Sequence, residues 1–133
     1  MSEVLKITFA NCSDLGLKRT ENQDYFGKFP KTSDSLALPK GQLFVVADGM
    51  GGHLGGREAS RLAVDTLGEV YYSEPAETIV SSLQRAMEEA NQRIHAQSVG
   101  NPHFRGMGTT CTALVLKDDR AYIAHVGDSR AYR

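Results

Sequence analysis

Long apolar runs, tryptophan and an excess of charge of one sign are all missing from this sequence. No apolar run approaches the roughly 20 residues that cross a bilayer. The 15 Lys and Arg residues nearly balance the 16 Asp and Glu residues, which leaves a formal net charge of −1. Because nucleic acids and anionic membranes are bound by basic faces, we expect neither a nucleic-acid partner nor a membrane partner.

Cysteine is scarce as well, with only Cys12 and Cys111. The two residues form no CxxC pair, so we expect buried or partly buried thiols in a reducing compartment. The first residues, Met1 to Lys6, have neither the basic stretch nor the apolar stretch of a signal peptide. These features predict a cytoplasmic protein.

The chain length bounds the number of domains. With 133 residues, 41% of them hydrophobic and 23% charged, the composition is that of one globular domain. We therefore expect residues 1–133 to belong to a single domain. Glycine is enriched, at 13 residues, and five glycines lie between Gly49 and Gly56.

Apolar periodicity predicts strands on both sides of two helices. The expected strands are Val4–Ala10, Asp24–Phe29, Gln42–Ala47, Thr109–Leu116, Ala121–Val126 and Ser129–Arg133. The first helix is expected over Glu58–Tyr72, and the second begins near Pro75 and ends near Gly100. This order predicts an α+β fold with mainly antiparallel pairing, because a doubly wound sheet would alternate strands and helices.

The last strand signal runs to the final residue, Arg133. A domain that stops within a strand leaves an open sheet edge, which can pair with another chain. We therefore expect the N-terminal portion of a longer domain, with self-association through the open sheet edges.

Asp48 directly follows the Gln42–Ala47 strand and begins a glycine-rich segment that ends at His53. A carboxylate at the end of a strand can hold a hard cation, and glycines let backbone carbonyls approach the same ion. The alternative is a simple turn from strand to helix that Asp48 begins. A phosphate-binding P-loop is disfavoured, because no Gly-Lys-Ser/Thr follows.

Two other segments carry charged residues that could take part in chemistry. Arg19 offers a planar donor that can bind two phosphate oxygens at once, and Asp24 follows five residues later. Asp128, after Gly127, could be a second aspartate that faces a metal. The alternatives are a solvated surface for the first segment and a turn or bulge for the second.

Cysteine and histidine chemistry is disfavoured by spacing. A thiol-based phosphate-binding loop needs five residues between its cysteine and its arginine, whereas six lie between Cys12 and Arg19. The four histidines lack a metal-ligand spacing such as His-Glu-x-x-His. We expect His125, within a strand, to be a hydrogen-bonded structural residue.

Four stretches together resemble a known family. They are Asp14-x-Gly-x-x-Arg-x-x-Asn-Gln-Asp24, Val45-Val-Ala-Asp-Gly-Met-Gly-Gly-His53, Gly108-Thr-Thr-Cys-Thr-Ala113 and His125-Val-Gly-Asp-Ser-Arg-Ala-Tyr132. In this order, with two helices between the second and third, they resemble the metal-dependent protein phosphatases, the type 2C serine/threonine phosphatases in their bacterial form. The resemblance implies two stacked antiparallel sheets flanked by paired helices. It also implies hydrolysis of phosphoserine and phosphothreonine by metal-activated water.

The resemblance also implies a role for five residues. Asp48 would bridge two Mn²⁺ or Mg²⁺ ions, Gly49 would offer its carbonyl to one of them, and Asp24 would support that metal through water. Asp128 would face a third, weaker metal. Arg19 would hold the substrate phosphate, which makes Arg19 and Asp48 the expected catalytic residues. Oxygen ligands of this kind suit Mg²⁺ or Mn²⁺ better than zinc.

The implied partners are phosphorylated proteins, among them a serine/threonine kinase.

Two departures from the family pattern stand out. Met50 occupies the position at which some members carry a histidine proposed as general acid. The family's catalytic domain is also nearly twice as long, and its later half brings further metal-binding aspartates. A non-catalytic binding or regulatory module is therefore the alternative function.

Overall fold

The computed structural model describes residues 7–17, 22–31, 39–52 and 54–132, and all structural statements below concern these residues. They form five strands, two long helices and a 3-10 helix at Pro102–Phe104. The strands are β1 (Asp24–Phe29), β2 (Gln42–Met50), β3 (Gly108–Thr109), β4 (Cys111–Lys117) and β5 (Arg120–Val126). The helices are α1 (Gly55–Tyr71) and α2 (Ile79–Gly100).

The strands form one antiparallel sheet in the order β1-β2-β4-β5, and β3 pairs with the end of β2. A tight turn at Asp118 and Asp119 joins β4 to β5, in the short gap between the two strands expected from the sequence. The α+β class, the antiparallel pairing and the paired helices are thereby confirmed. The second sheet implied by the resemblance is not found among the described residues and stays a prediction.

The two helices cover one face of the sheet. On β2, Leu43, Val45 and Ala47 are fully buried beneath them, because alternate side chains of a strand point to the same face. The core joins apolar residues of the central strands and both helices: Leu43, Val45, Ala47, Val64, Leu67, Val70, Tyr71, Leu83, Ala86, Ala90, Cys111, Ala113 and Val115. Because the helices occupy this face, only the opposite face of the sheet is available to functional side chains.

The opposite face of the sheet is only partly covered by the described residues. Val46 is 52% exposed and Ile123 is 59% exposed, while the ring of Phe44 contacts that of Phe9 at 5.2 Å between centroids. The nearly continuous apolar run Gln42–Ala47 is typical of a strand covered on both faces, but among the described residues only the helix side of β2 is fully covered. The helices shield one face, and the segment around Phe9 covers only part of the other.

Lys40 joins the end of α1 to the start of α2. Its buried ammonium group donates hydrogen bonds to the carbonyls of Tyr71 (2.9 Å) and Glu74 (2.7 Å) and to the hydroxyl of Ser82. Carbonyls at the end of a helix lack helical partners, and a cation is a favourable one. Burial lowers the pKa of Lys40, and the nearby Glu77 opposes that change.

Several predicted boundaries are wrong. Helix α1 begins at Gly55, three residues early, and β2 continues to Met50 because its end pairs with β3. Helix α2 begins only at Ile79, because the Thr78 hydroxyl caps it by accepting a hydrogen bond from Ser81 N at 3.2 Å. Pro75 therefore lies in the preceding turn.

Two predicted strands are not found. Residues 7–10 are not in a strand, and the rest of the expected Val4–Ala10 strand lies outside the described residues. Ser129–Tyr132 also has no strand, and Arg133 lies outside the described residues. A strand needs a hydrogen-bonded neighbour as well as a suitable residue pattern, and neither segment has one in the described sheet.

The two thiols differ in environment. Cys111 is buried in the core, and burial raises its pKa to about 12. Cys12 is exposed, so the prediction of two buried or partly buried thiols is wrong for this residue, and both cysteines are free. Neither described helix has the length and apolarity that a membrane span requires.

Candidate metal centre

Asp24 and Asp48 lie directly opposite each other where β1 meets β2. In an antiparallel pair, directly opposed residues point to the same face, with Cβ atoms roughly 4.5–5.5 Å apart. Counting along β2 from the buried Ala47 places both aspartates on the face away from the helices. The pairing of strands therefore brings together two carboxylates that are 24 positions apart in the sequence.

This arrangement fits a hard cation. Like charges placed directly opposite each other destabilise a sheet, and a divalent ion between them offsets that repulsion. Carboxylate oxygens are the donors that Mg²⁺, Mn²⁺ and Ca²⁺ prefer. No group of three or more His, Cys, Asp or Glu side chains suited to a metal occurs within the described ranges. Asp24 and Asp48 could thus supply part of a coordination sphere.

Gly49 lets the end of β2 lie directly against the start of α1. A Cβ atom at Gly49 would lie 1.8 Å from the carbonyl oxygen of Gly56, closer than atoms can approach. Gln23 holds the same region: its carbonyl accepts a hydrogen bond from Gly49 N at 3.0 Å, and its side chain donates to Gly52 O at 3.0 Å. Only a glycine at position 49 is compatible with this packing.

Thr110 stands on the other side of Asp48 from Asp24. Thr110 N donates to Asp48 O at 2.9 Å, and Asp48 N donates to the Thr110 hydroxyl at 3.0 Å. The same hydroxyl lies 2.8 Å from that of Ser129. Asp128, which precedes Ser129, is exposed. Through the Thr110 hydroxyl, hydrogen bonds thus connect the backbone of Asp48 to Ser129, the residue after Asp128.

His125 supports the turn that leads to Asp128. Its Nε2 lies 2.7 Å from Gly127 O, and its Nδ1 lies 2.8 Å from the Thr112 hydroxyl. Because a carbonyl only accepts, Nε2 carries the proton, and in the neutral ring Nδ1 accepts from Thr112. The prediction that His125 is a hydrogen-bonded structural residue is confirmed.

A cavity of about 260 Å³ opens beside Asp24 on the face away from the helices. Its lining combines the segment before β1 with β1 and β2: Phe9, Ala10, Asn11, Cys12, Ser13, Asp24, Tyr25, Phe26, Gly27, Phe44, Val45 and Val46. Asp24 therefore borders a concave and largely apolar surface.

The structure brings some of the predicted site residues together. Asp24, Asp48 and Gly49 share one edge of the sheet, and Asp128 is tied to that edge through Ser129 and Thr110. Arg19 and His53 lie outside the described residues. No role was expected for Thr110, although the clustered hydroxyls of Thr109, Thr110 and Thr112 are a sequence signal that could have indicated one.

An α+β fold whose strand ends present opposed carboxylates beside a glycine-rich loop has the oxygen donors of a divalent-cation site. The sequence profile of the protein phosphatase 2C family matches residues 18–133. The chain belongs to this family.

Two bacterial relatives and one solved structure are similar to the chain. It is 36% identical over 130 residues to the serine/threonine protein phosphatase PstP of Mycobacterium tuberculosis, covering 96% of this chain and 23% of PstP. It is 37% identical over 121 residues to the protein phosphatase PhpP of Streptococcus pneumoniae, covering 89% of this chain and 46% of PhpP. The crystal structure of the PstP catalytic domain with two manganese ions matches with a TM-score of 0.71 at 36% identity, over 90% of this chain and 47% of that one. The chain thus spans less than half the length of these relatives.

The contact between Gly49 and Gly56 gives a testable prediction. We expect Gly49→Ala to lower the free energy of unfolding by about 1–3 kcal/mol, because the added methyl group overlaps a backbone oxygen that cannot rotate away. Gly100→Ala is the matched control, since a Cβ there has no atom within 4 Å. Urea unfolding of both variants measures the effect, and equal stabilities would contradict the proposed close packing.

Proposed function

We propose that the protein containing this chain is a metal-dependent serine/threonine phosphatase that hydrolyses phosphoserine and phosphothreonine in proteins. The observation that carries the proposal is the opposition of Asp24 and Asp48 in a chain of the protein phosphatase 2C family. The manganese ions in the PstP structure and the names of PstP and PhpP support it.

We infer that the site holds two Mn²⁺ or Mg²⁺ ions. Asp48 and the Gly49 carbonyl are the proposed direct ligands, and Asp24 acts through water. Asp128 is the proposed ligand of a third, weaker ion. Two divalent cations supply the positive charge that activates water near neutral pH and offsets the charge on the reacting phosphate. The Gly49 contact with α1 and the Thr110 hydrogen bonds hold Asp48 in place before any ion binds.

Arg19 is the proposed substrate-binding residue. Its guanidinium group would pair with two oxygens of the phosphate dianion and orient the phosphorus toward the aspartate pair. Phosphorylated proteins, among them a serine/threonine kinase, are the proposed substrates. The cytoplasmic location stays a prediction from the sequence.

The first test addresses Asp48. In the full natural chain, Asp48→Asn is expected to abolish Mn²⁺-dependent hydrolysis of a phosphopeptide, because it removes the charge of the proposed bridging ligand. Asp65→Asn is the matched control, an exposed aspartate on α1 that should keep full activity. If the Asp48→Asn variant kept the turnover rate of the wild type at saturating Mn²⁺, the metal assignment would be wrong.

A second test addresses Arg19. Arg19→Ala removes a charge-assisted contact worth about 1.5–3 kcal/mol, so kcat/KM should fall roughly ten- to hundredfold while Mn²⁺ binding is kept. Arg105→Ala, at an exposed arginine after the 3-10 helix, serves as the control. Steady-state kinetics on a phosphopeptide measures both, and an unchanged kcat/KM would remove Arg19 from the site.

The third test concerns the 133-residue chain by itself. Two opposed carboxylates offset only part of the repulsion between two divalent ions, so we expect weak or single-metal binding and turnover near background. We also expect self-association, because β1 is an open edge in the described sheet and Val46 and Ile123 are exposed. Calorimetry with Mn²⁺, hydrolysis of p-nitrophenyl phosphate and light scattering measure these properties. Tight binding of two ions with robust hydrolysis would contradict the expectation. Tight metal binding without hydrolysis would instead favour a non-catalytic module.

A further inference from the structure

Thr110 interrupts a strand without changing its register. Met50 pairs with Gly108 and Gly49 with Thr109 in β3, and Val46 pairs with Thr112 in β4, so both strands keep one alignment against β2. Position 110 is opposite Asp48 in that alignment. A regular pair there would exchange two hydrogen bonds between backbone groups.

Only one of these two backbone hydrogen bonds is made. Thr110 N donates to Asp48 O as in a regular strand, but Asp48 N donates to the Thr110 side-chain hydroxyl. The Thr110 carbonyl instead accepts a hydrogen bond from the Thr109 hydroxyl at 2.7 Å. The Thr110 hydroxyl thus takes the place of the Thr110 carbonyl as the acceptor for the amide of Asp48, the proposed bridging metal ligand.

The same side chain contacts the segment that carries Asp128. Its hydroxyl lies 2.8 Å from that of Ser129, and a Cβ at Gly127 would lie 2.6 Å from its methyl carbon. Gly127 also has a φ of +106°, which other residues rarely adopt. The turn is therefore shaped to fit closely around Thr110.

A second connection holds the same turn. His125 lies opposite Thr112 across β4 and β5, and its ring bridges the Thr112 hydroxyl and the Gly127 carbonyl. On one side of Asp128, His125 thus attaches the Gly127–Ser129 turn to Thr112 of β4. On the other side, Ser129 attaches it to Thr110.

We propose that Thr110 is a positioning residue that couples Asp48 to Asp128, so that the two proposed metal positions respond to each other. His125 limits the movement of the turn, and the shared Thr110 hydroxyl transmits a displacement of Ser129 to the amide of Asp48. The functional part of this inference depends on the metal assignments proposed above, whereas the coupling itself is a property of the chain without metal.

The experiment uses the full natural chain with Thr110→Val, Ser129→Ala and the double variant. Thr110→Ser keeps the hydroxyl and is the conservative rescue. Thr66→Val makes the same chemical change at a buried hydroxyl of α1 that has no hydrogen-bond partner in the described structure. It is therefore the matched control, and its Mn²⁺ affinity should equal that of the wild type.

Loss of a residue that orients a metal ligand lowers metal affinity roughly 10- to 100-fold. We expect this loss for Thr110→Val by calorimetry with Mn²⁺, and we expect Thr110→Ser to stay within about threefold of the wild type, since the donor–acceptor group is retained. Ser129→Ala should weaken binding less, and the double variant should be no weaker than Thr110→Val, because either change breaks the same hydroxyl pair. Additive losses, or equal affinities for all variants, would overturn the coupling.

Amide spectra of the metal-free protein provide the second measurement. Ser129→Ala should displace the Asp48 amide resonance more than amides of α2, because the hydrogen bonds through Thr110 polarise each other. An unmoved Asp48 resonance overturns the proposal, even if Thr110→Val fails to fold. If the wild type shows no Mn²⁺-dependent hydrolysis, the proposed function fails, and the spectra still decide whether the coupling exists.

Discussion

Strand β2 is hydrogen-bonded on both edges, and its alternation determines on which face each of its residues lies. Leu43, Val45 and Ala47 fill the helix-covered face, so Asp48 emerges on the other. A slip of one residue would exchange the faces and place the carboxylate in the apolar core. The free energy of burying three core residues therefore also fixes the side on which the carboxylate lies.

The end of β2 is equally constrained by the glycine-rich loop and by the start of α1. Gly49 touches the first turn of α1, and Gly56 N donates to Gly51 O at 2.8 Å, so the loop closes compactly. Glycines in such a loop let backbone groups approach one another closely. The helix thus contributes to the shape of the site as well as to the core.

Much of the fold could be predicted from the sequence because its signals are local. Asp24–Phe29 was expected as a strand and forms β1 with those bounds, and the charged residues after Leu116 separate the two strands of the β4–β5 hairpin. The opposition of Asp24 and Asp48 was not predictable from pattern alone, since it depends on the register between strands joined by a long connection. The resemblance indicated both residues but gave no geometry.

Other features had an incomplete or misleading sequence signal. The cluster of Thr109, Thr110 and Thr112 marks the segment, but the pattern does not show which hydroxyl replaces a backbone carbonyl. Pro75 suggested a helix start, yet the Thr78 hydroxyl caps the N-terminus of α2, so the helix begins at Ile79. Val4–Ala10 has strand-forming residues, but residue pattern does not reveal whether a neighbouring strand is available.

The burial of Cys111 has a consequence for oxidative chemistry. This thiol lies between Thr110 and Thr112 in sequence, but it is in the core, and burial raises its pKa to about 12, which disfavours the thiolate at neutral pH. Peroxides and electrophiles react with thiolates, and access to Cys111 is closed by the helix layer. Modification is therefore directed to the exposed Cys12, which borders the cavity beside Asp24. A cysteine-directed fluorophore would thus report on that cavity without altering the strand that holds Asp48.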